Sequence, residues 1–527
     1  MTQPPESPPL ESQPPESQPS ESQPVESRTP TAALGSSEPD LPEQMRVRRE
    51  KLTRILEAGG DPYPVGFART TDLAGLRAAY GGLPPDTATG HRVGVTGRVV
   101  FKRDTGRLAF ASLQEGDARL QVMLPADVVG AESLAAWKRD VDLGDHVGVE
   151  GEVVTSRRGE LSVRAERWAL TSKALRPLPT LHKPMSDEER ARARYVDLIV
   201  RPEARAMVRT RADTLWAIRS TLRDRGFTEV ETPVLQPLHG GASARPFATQ
   251  SNALDTDLYL RIALELYLKR LVVGGIEKVF ELGKNFRNEG VDSTHNPEFA
   301  MLEAYESYGD YDSIAALTRD LVLAAASATG AVEVPDGSGG TVDLAAPWRT
   351  TTLHEAVSAA LGEEVSADTD LARLRALADA RGIALQPGWD AGDVALELYE
   401  QLVEPELREP TFVRDFPASV RPLARPHRAN PRLAEAWDLV VLGRELATGY
   451  SELADPVEQR RRLTEQSLRA AGGDPEAMQL DEDFLRALEH GMPPTGGMGM
   501  GIDRLLMLLT GAASIRETVL FPLVRPE

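Results

Sequence analysis

Near the C-terminal end runs Gly497-Met498-Gly499-Met500-Gly501-Ile502-Asp503-Arg504-Leu505-Leu506. Glycines at every second position specify a strand with one face stripped to the backbone. A flat ring can lie close against the bare face. The apolar helix that follows starts at Ile502 and carries Arg504 in its first turn. A helix N-terminus facing a phosphate is favourable. A Gly-x-Gly-x-Gly run is common on its own. Followed by Ile-Asp-Arg and an apolar helix, it specifies a strand–helix unit suited to a planar, phosphate-bearing ligand.

A second constellation lies about two hundred residues earlier. Ile276 to Asn288 is strand-like, Gly290 to His295 is a polar loop, and Glu298 to Tyr305 is a returning strand. Alternation places Asn285, Arg287 and Glu289 on one face, and Phe299, Met301, Glu303 and Tyr305 on one face of the return. Carboxylates and an arginine aligned this way require partners. The planar fork of Arg287 matches phosphate oxygens. The structural alternative for Arg287 is a salt bridge to Glu281 or Glu289.

The third constellation runs from Asp438 through Gly443, Glu445, Thr448 and Tyr450 to Glu452. Asp438 and Glu445 are an odd number apart, so a straight strand sends them to opposite faces. A bend or bulge at Gly443 is expected to bring them together. Thr448, Tyr450 and Glu452 alternate onto one face.

In this order and at this separation, Phe286-Arg287-Asn288-Glu289 with His295-Asn296-Pro297-Glu298-Phe299 and the glycine run resemble motifs 2 and 3 of class II aminoacyl-tRNA synthetases. The helix Val208 to Arg225, stopped by Gly226, then a strand Phe227 to Glu231 and Thr232-Pro233, resembles motif 1 and implies a homodimer interface. The resemblance implies that Arg287 holds the ATP α-phosphate and the amino-acid carboxylate, and that Phe299 stacks on adenine. It implies that Arg504 covers the adenine and reaches the γ-phosphate, with Glu289, His295, Glu445 and Gly501 completing the ATP site. Asp438 and Glu445 would bind Mg²⁺ bridging the phosphates, a normal ligation for that ion.

Glu265, Glu303 and Glu452 map to the amino-acid pocket, beside Gly241, Arg287, Tyr305, Thr448 and Tyr450. Surplus carboxylates select a cationic substrate. The loop Gly240 to Phe247 and the run Glu265 to Arg270 are similar to lysine-type enzymes. From about residue 45 onward the chain resembles bacterial class II lysyl-tRNA synthetases, which implies ATP, lysine and tRNA(Lys) as partners. Glu452 and Tyr305 would grip the ε-ammonium, and Glu265 the α-ammonium. The chain departs from the pattern at four points. Leu264 stands in place of Pro, Thr448 in place of Asn, Tyr450 in place of Phe, and Ser419 begins a Ser-Val-Arg-Pro run in place of Glu-x-Ser-Pro.

Residues 91–175 carry five strand signals with a helix, Ala131 to Val141, between the third and fourth. That is the order of an OB barrel. Such barrels bind single-stranded nucleic acid by stacking bases on aromatics. Phe110 on the second strand and Gln121 on the third are the candidate anticodon contacts, and barrel core is the alternative for Phe110. This segment holds thirteen Lys and Arg against twelve Asp and Glu, a net +1. The whole chain is at −20, which argues against a generic nucleic-acid coat protein. The helix expected over 43–59 carries Arg46, Arg48, Arg49, Lys51 and Arg54, either as a solvated face or as a contact to RNA backbone.

Residues 1–44 repeat Glu-Ser-Gln-Pro, with eight acidic residues, one Arg and no aromatic. Such a segment cannot offset chain entropy by burial and is expected to be disordered. Residues 45–90 form a helical lead-in. A class II catalytic domain of α/β (α+β) type is expected over 176–527, with a helical insertion near 330–410. The chain has no cysteine, which excludes disulfides and cysteine nucleophiles. No apolar run reaches the roughly 18 residues of a membrane span. A cytoplasmic enzyme fits these bounds. Two rival readings are a sister synthetase for aspartate or asparagine, which would need a cation in place of Glu452, and a non-enzymatic RNA-binding or regulatory protein that keeps the fold.

Overall fold

A computed structural model describes residues 41–179, 184–472 and 477–525. The segment expected to be disordered lies outside the described residues as far as residue 40. Its last residues are helical, because Glu43 opens the helix Glu43–Glu57 with Pro42 just before the first turn. Part of the cationic face of that helix turns to the barrel, while Arg46 stays exposed and pairs with Glu50 at 2.6 Å. Arg48 donates to the carbonyls of Leu143 and Ala174 at 2.8 and 3.0 Å. Lys51 pairs with Asp142 at 2.6 Å and Arg54 with Asp140 at 3.2 Å. The helix is thereby strapped to the barrel that follows.

That barrel is closed from Ala88–Asp104, Leu108–Glu115, Ala118–Pro125, His146–Thr155 and Leu161–Ser172, joined in the order first, second, third, fifth, fourth. Inward positions alternate along the second strand as Ala109, Ala111 and Leu113, and along the third as Leu120, Val122 and Leu124. Each fully buried Val or Leu contributes about 1.5–3 kcal/mol of transfer energy. The helix Ala131–Asp140 inserts Trp137, fully buried and edge-on to Trp168. Closure leaves no barrel edge open to strand pairing.

The second body is an eight-stranded sheet. Its spatial order is Arg349–Thr352, Thr411–Arg414, Ala436–Val441, Arg444–Ser451, Thr495–Gly501, Glu298–Ser307, Lys278–Phe286 and Thr228–Glu229. The outermost pairing at each end is parallel and the interior is antiparallel. The helices Pro202–Asp224, Tyr311–Thr329 and Ile502–Thr510 pack against this sheet. Ile218, Leu222, Leu317, Leu321, Met498, Met500 and Leu505 meet there in one core. The face opposite this layer carries the polar side chains.

Three sequence expectations shift here. The first helix starts at Pro202 rather than Val208, since proline at the first helical position loses no intrahelical bond. The strand after it shrinks to Thr228–Glu229, because the Thr232 N–H turns to the Glu281 carboxylate at 2.9 Å instead of continuing the ladder. The helical insertion expected near 330–410 is preceded by the short strands Glu333–Pro335 and Thr341–Asp343, because β-branched Val334 and Val342 pair across a glycine-rich turn. It is helical only after Thr352, as the α-helices Leu353–Leu361, Leu371–Ala380 and Ala391–Leu402 around a separate core centred on Val357, Leu374 and Leu398. Thr352, Asp370 and Asp390 cap their N-termini with side-chain oxygens.

Candidate active site

The glycine strand Thr495–Gly501 sits in the middle of the site because of its two neighbours. On one side it pairs with Glu298–Ser307, opposing Gly501 to Met301, Gly499 to Glu303 and Gly497 to Tyr305. On the other it pairs with Arg444–Ser451, opposing Gly499 to Thr448 and Gly497 to Tyr450. Side chains opposed across a sheet share a face. Glu303 and Thr448 therefore flank one bare glycine, and Tyr305 and Tyr450 flank the next. A Cβ on Gly497 would stand 2.0 Å from Glu452 Oε1 and 2.5 Å from the Tyr305 ring, and one on Gly499 would stand 2.6 Å from Met301 Cε. A side chain at Gly497 would collide with the buried Tyr305 ring, and one at Gly499 would displace the Met301 methyl.

This face borders a cavity of about 380 Å³, a volume typical of small-molecule sites. Gly241, Glu265, Arg287, Glu289, His295, Phe299, Glu303, Tyr305, Glu445, Thr448, Tyr450, Glu452, Gly501 and Arg504 all line it. Asp438 does not reach its wall. It lies buried beneath, ion-paired to Arg421. Phe110 and Gln121 belong to the barrel.

At one end of the cavity the Arg287 guanidinium lies over the Phe299 ring, 5.1 Å from its centroid. The strand Lys278–Phe286 ends one residue before Arg287, so Arg287 and Glu289 leave the strand face expected for them. Arg287 is instead fixed by its own N–H to the Pro297 carbonyl at 2.9 Å and by Nε to the Ile262 carbonyl at 3.4 Å. Neither salt bridge weighed as its structural alternative forms. Glu281 is held by Arg261 at 2.6 Å, and among the described residues Arg287 has no ion pair within 4.0 Å. Burial lowers the Arg287 pKa, against the pull of Glu289, Glu445 and Glu303. Arg504 closes this end, with Nη1 donating to the Glu445 carbonyl at 2.8 Å and Nη2 lying 3.4 Å from His295 Nε2.

Asp438 and Glu445 lie on two paired strands rather than on one, and the expected bulge appears in their pairing instead of at Gly443 itself. They stand on two strands, Ala436–Val441 and Arg444–Ser451, joined by a two-residue turn in which Leu442 and Gly443 both have positive φ, 53° and 71°. Positive φ at both central residues is the type I′ pattern of tight hairpins. A register shift at Leu439–Val440 adjusts the pairing. Among the described residues no group of three or more His, Asp or Glu forms a ready metal cage. Asp438 Oδ1 is buried without a partner, so this pair retains a free hard-oxygen donor. That suits Mg²⁺, which takes one or two carboxylates and completes its shell with phosphates and water.

The other end of the cavity is acidic. Glu303 accepts the Leu264 N–H at 3.0 Å and the Tyr305 hydroxyl at 2.9 Å. Burial, reinforced by Glu265, pushes its pKa up to about 7. Glu452 is 3% exposed, and burial also raises its pKa despite an opposing pull from Lys269. Its Oε1 has no partner. Gly241, at φ +85°, lies close enough for an added Cβ to stand 3.2 Å from Glu265 Cβ. The Thr448 hydroxyl lies 3.3 Å from the Trp437 carbonyl and 3.2 Å from the Tyr450 hydroxyl.

Two ion-paired neighbours of the candidate site residues escape a reading of the sequence. Lys269 is fully buried, with Nζ 2.6 Å from Glu265 and 2.5 Å from Glu452. Its spacing of four from Glu265 on the helix Glu265–Val273 is a readable sign of the first contact. Arg421, the partner of Asp438, carries no such sign.

In the barrel, Phe110 is half-buried while Ala109 and Ala111 on either side are fully buried, so Phe110 points outward and is not core. Gln121 Nε2 donates to Ser162 Oγ at 2.9 Å across the parallel pairing of the third and fifth strands. Both residues sit on the barrel's outer surface.

Comparison with known proteins agrees with this geometry. The family described as tRNA synthetases class II (D, K and N) matches residues 186–525, and that described as OB-fold nucleic acid binding domain matches residues 93–171. The lysine--tRNA ligase of Kineococcus radiotolerans is 60% identical over 93% of this chain and 98% of its own length. That of Mycobacterium tuberculosis is 58% identical over the same shares. A lysylphosphatidylglycerol biosynthesis bifunctional protein of Mycolicibacterium vanbaalenii is 54% identical over 93% of this chain but only 44% of its own length. No helix among the described residues is long and apolar enough to cross a membrane. The chain belongs to the class II tRNA synthetases of the D, K and N family.

Proposed function

We propose that the protein is a lysine--tRNA ligase. It activates lysine with ATP, releasing pyrophosphate, and then passes the lysyl group to the 3′ end of tRNA(Lys). The observation that carries the choice of amino acid is the acidic end of the cavity. Glu265, Glu303 and Glu452 converge there with Tyr305, and no cation stands at position 452 to receive an aspartate side chain. The same observation disfavours an aspartate or asparagine enzyme. A non-enzymatic role is disfavoured because Arg287, Arg504, Asp438 and Glu445 are all present.

The first step needs no protein nucleophile. A lysine carboxylate oxygen attacks the α-phosphorus, a P–O bond forms, and the bond to the β-phosphate oxygen breaks with pyrophosphate leaving. Arg287 orients the carboxylate and stabilises charge on the phosphoryl oxygens as it develops. Phe299 and Arg504 hold the adenine between them, with Glu289, His295 and Gly501 around it. Asp438 and Glu445 would hold Mg²⁺, which neutralises phosphate charge when bound. Glu452 and Tyr305 receive the ε-ammonium, Glu265 the α-ammonium. In the second step a ribose hydroxyl at the tRNA 3′ end attacks the acyl carbon and AMP leaves.

Phe110 and Gln121 are the proposed anticodon contacts. A homodimer is supported by exposed apolar side chains around the first long helix and the segment after it, among them Val208, Trp216, Val234 and Leu235. A cytoplasmic location follows from a tRNA substrate. Amino-acid-dependent ATP–pyrophosphate exchange, compared across the twenty amino acids, tests the assignment. Lysine should stand alone, and exchange driven by aspartate or asparagine would overturn it.

A further inference from the structure

The acidic pocket contains a cation of its own. Lys269 Nζ is wholly shielded from solvent and bridges Glu265 and Glu452, two carboxylates on different elements. Glu265 opens the helix Glu265–Val273, and Glu452 follows the strand Arg444–Ser451. Without an intervening cation, two anions this near each other in a shielded site cannot both stay ionised. Lys269 leaves Glu452 Oε1, beside Gly497, without a partner, and takes one oxygen of Glu265. Glu303 is the third carboxylate at this end of the cavity. Three carboxylates against the one ammonium of Lys269 leave two formal negative charges here. Free lysine brings two ammonium groups, and its carboxylate belongs at the other end, beside Arg287.

Resting on the lysine reading above, we infer that Lys269 is a specificity-determining positioning residue. It ties Glu265 and Glu452 into one rigid unit and cancels one of their charges. The pocket then admits one further cationic side chain, at a fixed distance from the oxygen that receives the α-ammonium. Lys269 acts as the spacer of a ruler for side-chain length. It touches neither the reacting carboxylate nor the phosphate.

The test compares full-length wild type, Lys269→Gln and Lys269→Arg in pyrophosphate exchange driven by lysine and by ornithine, which is one methylene shorter. Gln still donates hydrogen bonds to carboxylates but carries no charge, so it separates charge from packing. Lys269→Gln should raise the lysine KM about tenfold or more, the effect of roughly 1.4 kcal/mol. The ATP KM should stay within about twofold, since one lost pocket contact affects one substrate. The preference for lysine over ornithine should fall by a similar factor to the lysine KM effect. Lys269→Arg, which keeps the cation, should retain most of that preference. A folded Lys269→Gln enzyme with wild-type lysine KM and preference overturns the inference. If Lys269→Gln does not fold, Lys269→Arg decides: retained preference supports the ruler, and lost preference with a normal melting temperature overturns it. A wild-type enzyme that does not activate lysine would instead overturn the functional reading, so the two failures are distinct.

Discussion

Arg504 Nη1 donates to the main-chain carbonyl of Glu445 at 2.8 Å. The arginine at the start of the last long helix and the carboxylate of the tight hairpin are therefore held as one piece. On the proposed reading, in which the guanidinium meets phosphate and the carboxylate meets its counter-ion, this positioning precedes the arrival of either ligand.

Arg287→Ala should reduce lysine-dependent pyrophosphate exchange by about 10²–10³, the usual effect of removing one preorganised donor to developing charge. The fold should survive, because among the described residues Arg287 makes no ion pair. Exchange within about twofold of wild type would remove Arg287 from the phosphate site.

Glu452→Gln should raise the lysine KM far more than the ATP KM. Truncating one partner of a buried charge pair costs about 2–5 kcal/mol, roughly thirtyfold or more in affinity. The variant keeps side-chain shape, so steady-state exchange isolates the charge.

Acid should weaken lysine use. The Glu303 pKa is pushed up to about 7 by burial, and burial also raises that of Glu452. A raised carboxylate pKa means that the neutral form accumulates as pH falls through it, and a neutral carboxyl pairs poorly with an ammonium. kcat/KM for lysine reports the free enzyme, so it should decline as pH falls through about 8 and then about 7, with kcat at saturating lysine declining less. A flat kcat/KM from pH 5.5 to 8.5 would contradict this.

Phe110→Ala should lower tRNA charging and spare exchange measured without tRNA. Stacking on one aromatic is worth about 1–3 kcal/mol. Phe110 faces outward, so the melting temperature should hardly move. A large stability loss would show that the ring packs into the barrel after all.

Asp503→Ala should be destabilising. Asp503 is 2% exposed, accepts the Ala300 N–H at 2.7 Å and pairs with Arg211 at 2.6 Å. Breaking a buried pair costs about 3–5 kcal/mol, which thermal unfolding would register as a clear drop in Tm.

What the sequence makes legible is local periodicity. Gly497, Gly499 and Gly501 announce a bare strand face, and Ile502 onward announces a helix, because both periods are written in consecutive residues. The five barrel strands are legible for the same reason. The meeting of Glu303 with Gly499 and Thr448 is not, because it depends on which strands neighbour one another and in what register. The tight turn at Leu442–Gly443 is not legible, since a two-residue turn with Leu at its first position lacks the usual Asn or Asp signal. Lys269 illustrates the boundary well. Its contact with Glu265 follows from helical spacing, but its contact with Glu452 is made only when the chain returns.

The glycine strand also binds the two halves of recognition together. Gly497 lies beside Glu452 and Tyr305, and Gly501 beside Arg504. Four residues of strand span about 13 Å, so a single short segment runs from the acidic end of the cavity to the nucleotide end. Slipping its pairing by one residue would turn Met498 and Met500 into the cavity and all three glycines into the core. Amino acid and nucleotide would then be lost in the same event. On the proposed reading, both small-molecule specificities rest on one alignment of backbone hydrogen bonds, and neither can drift in register without the other.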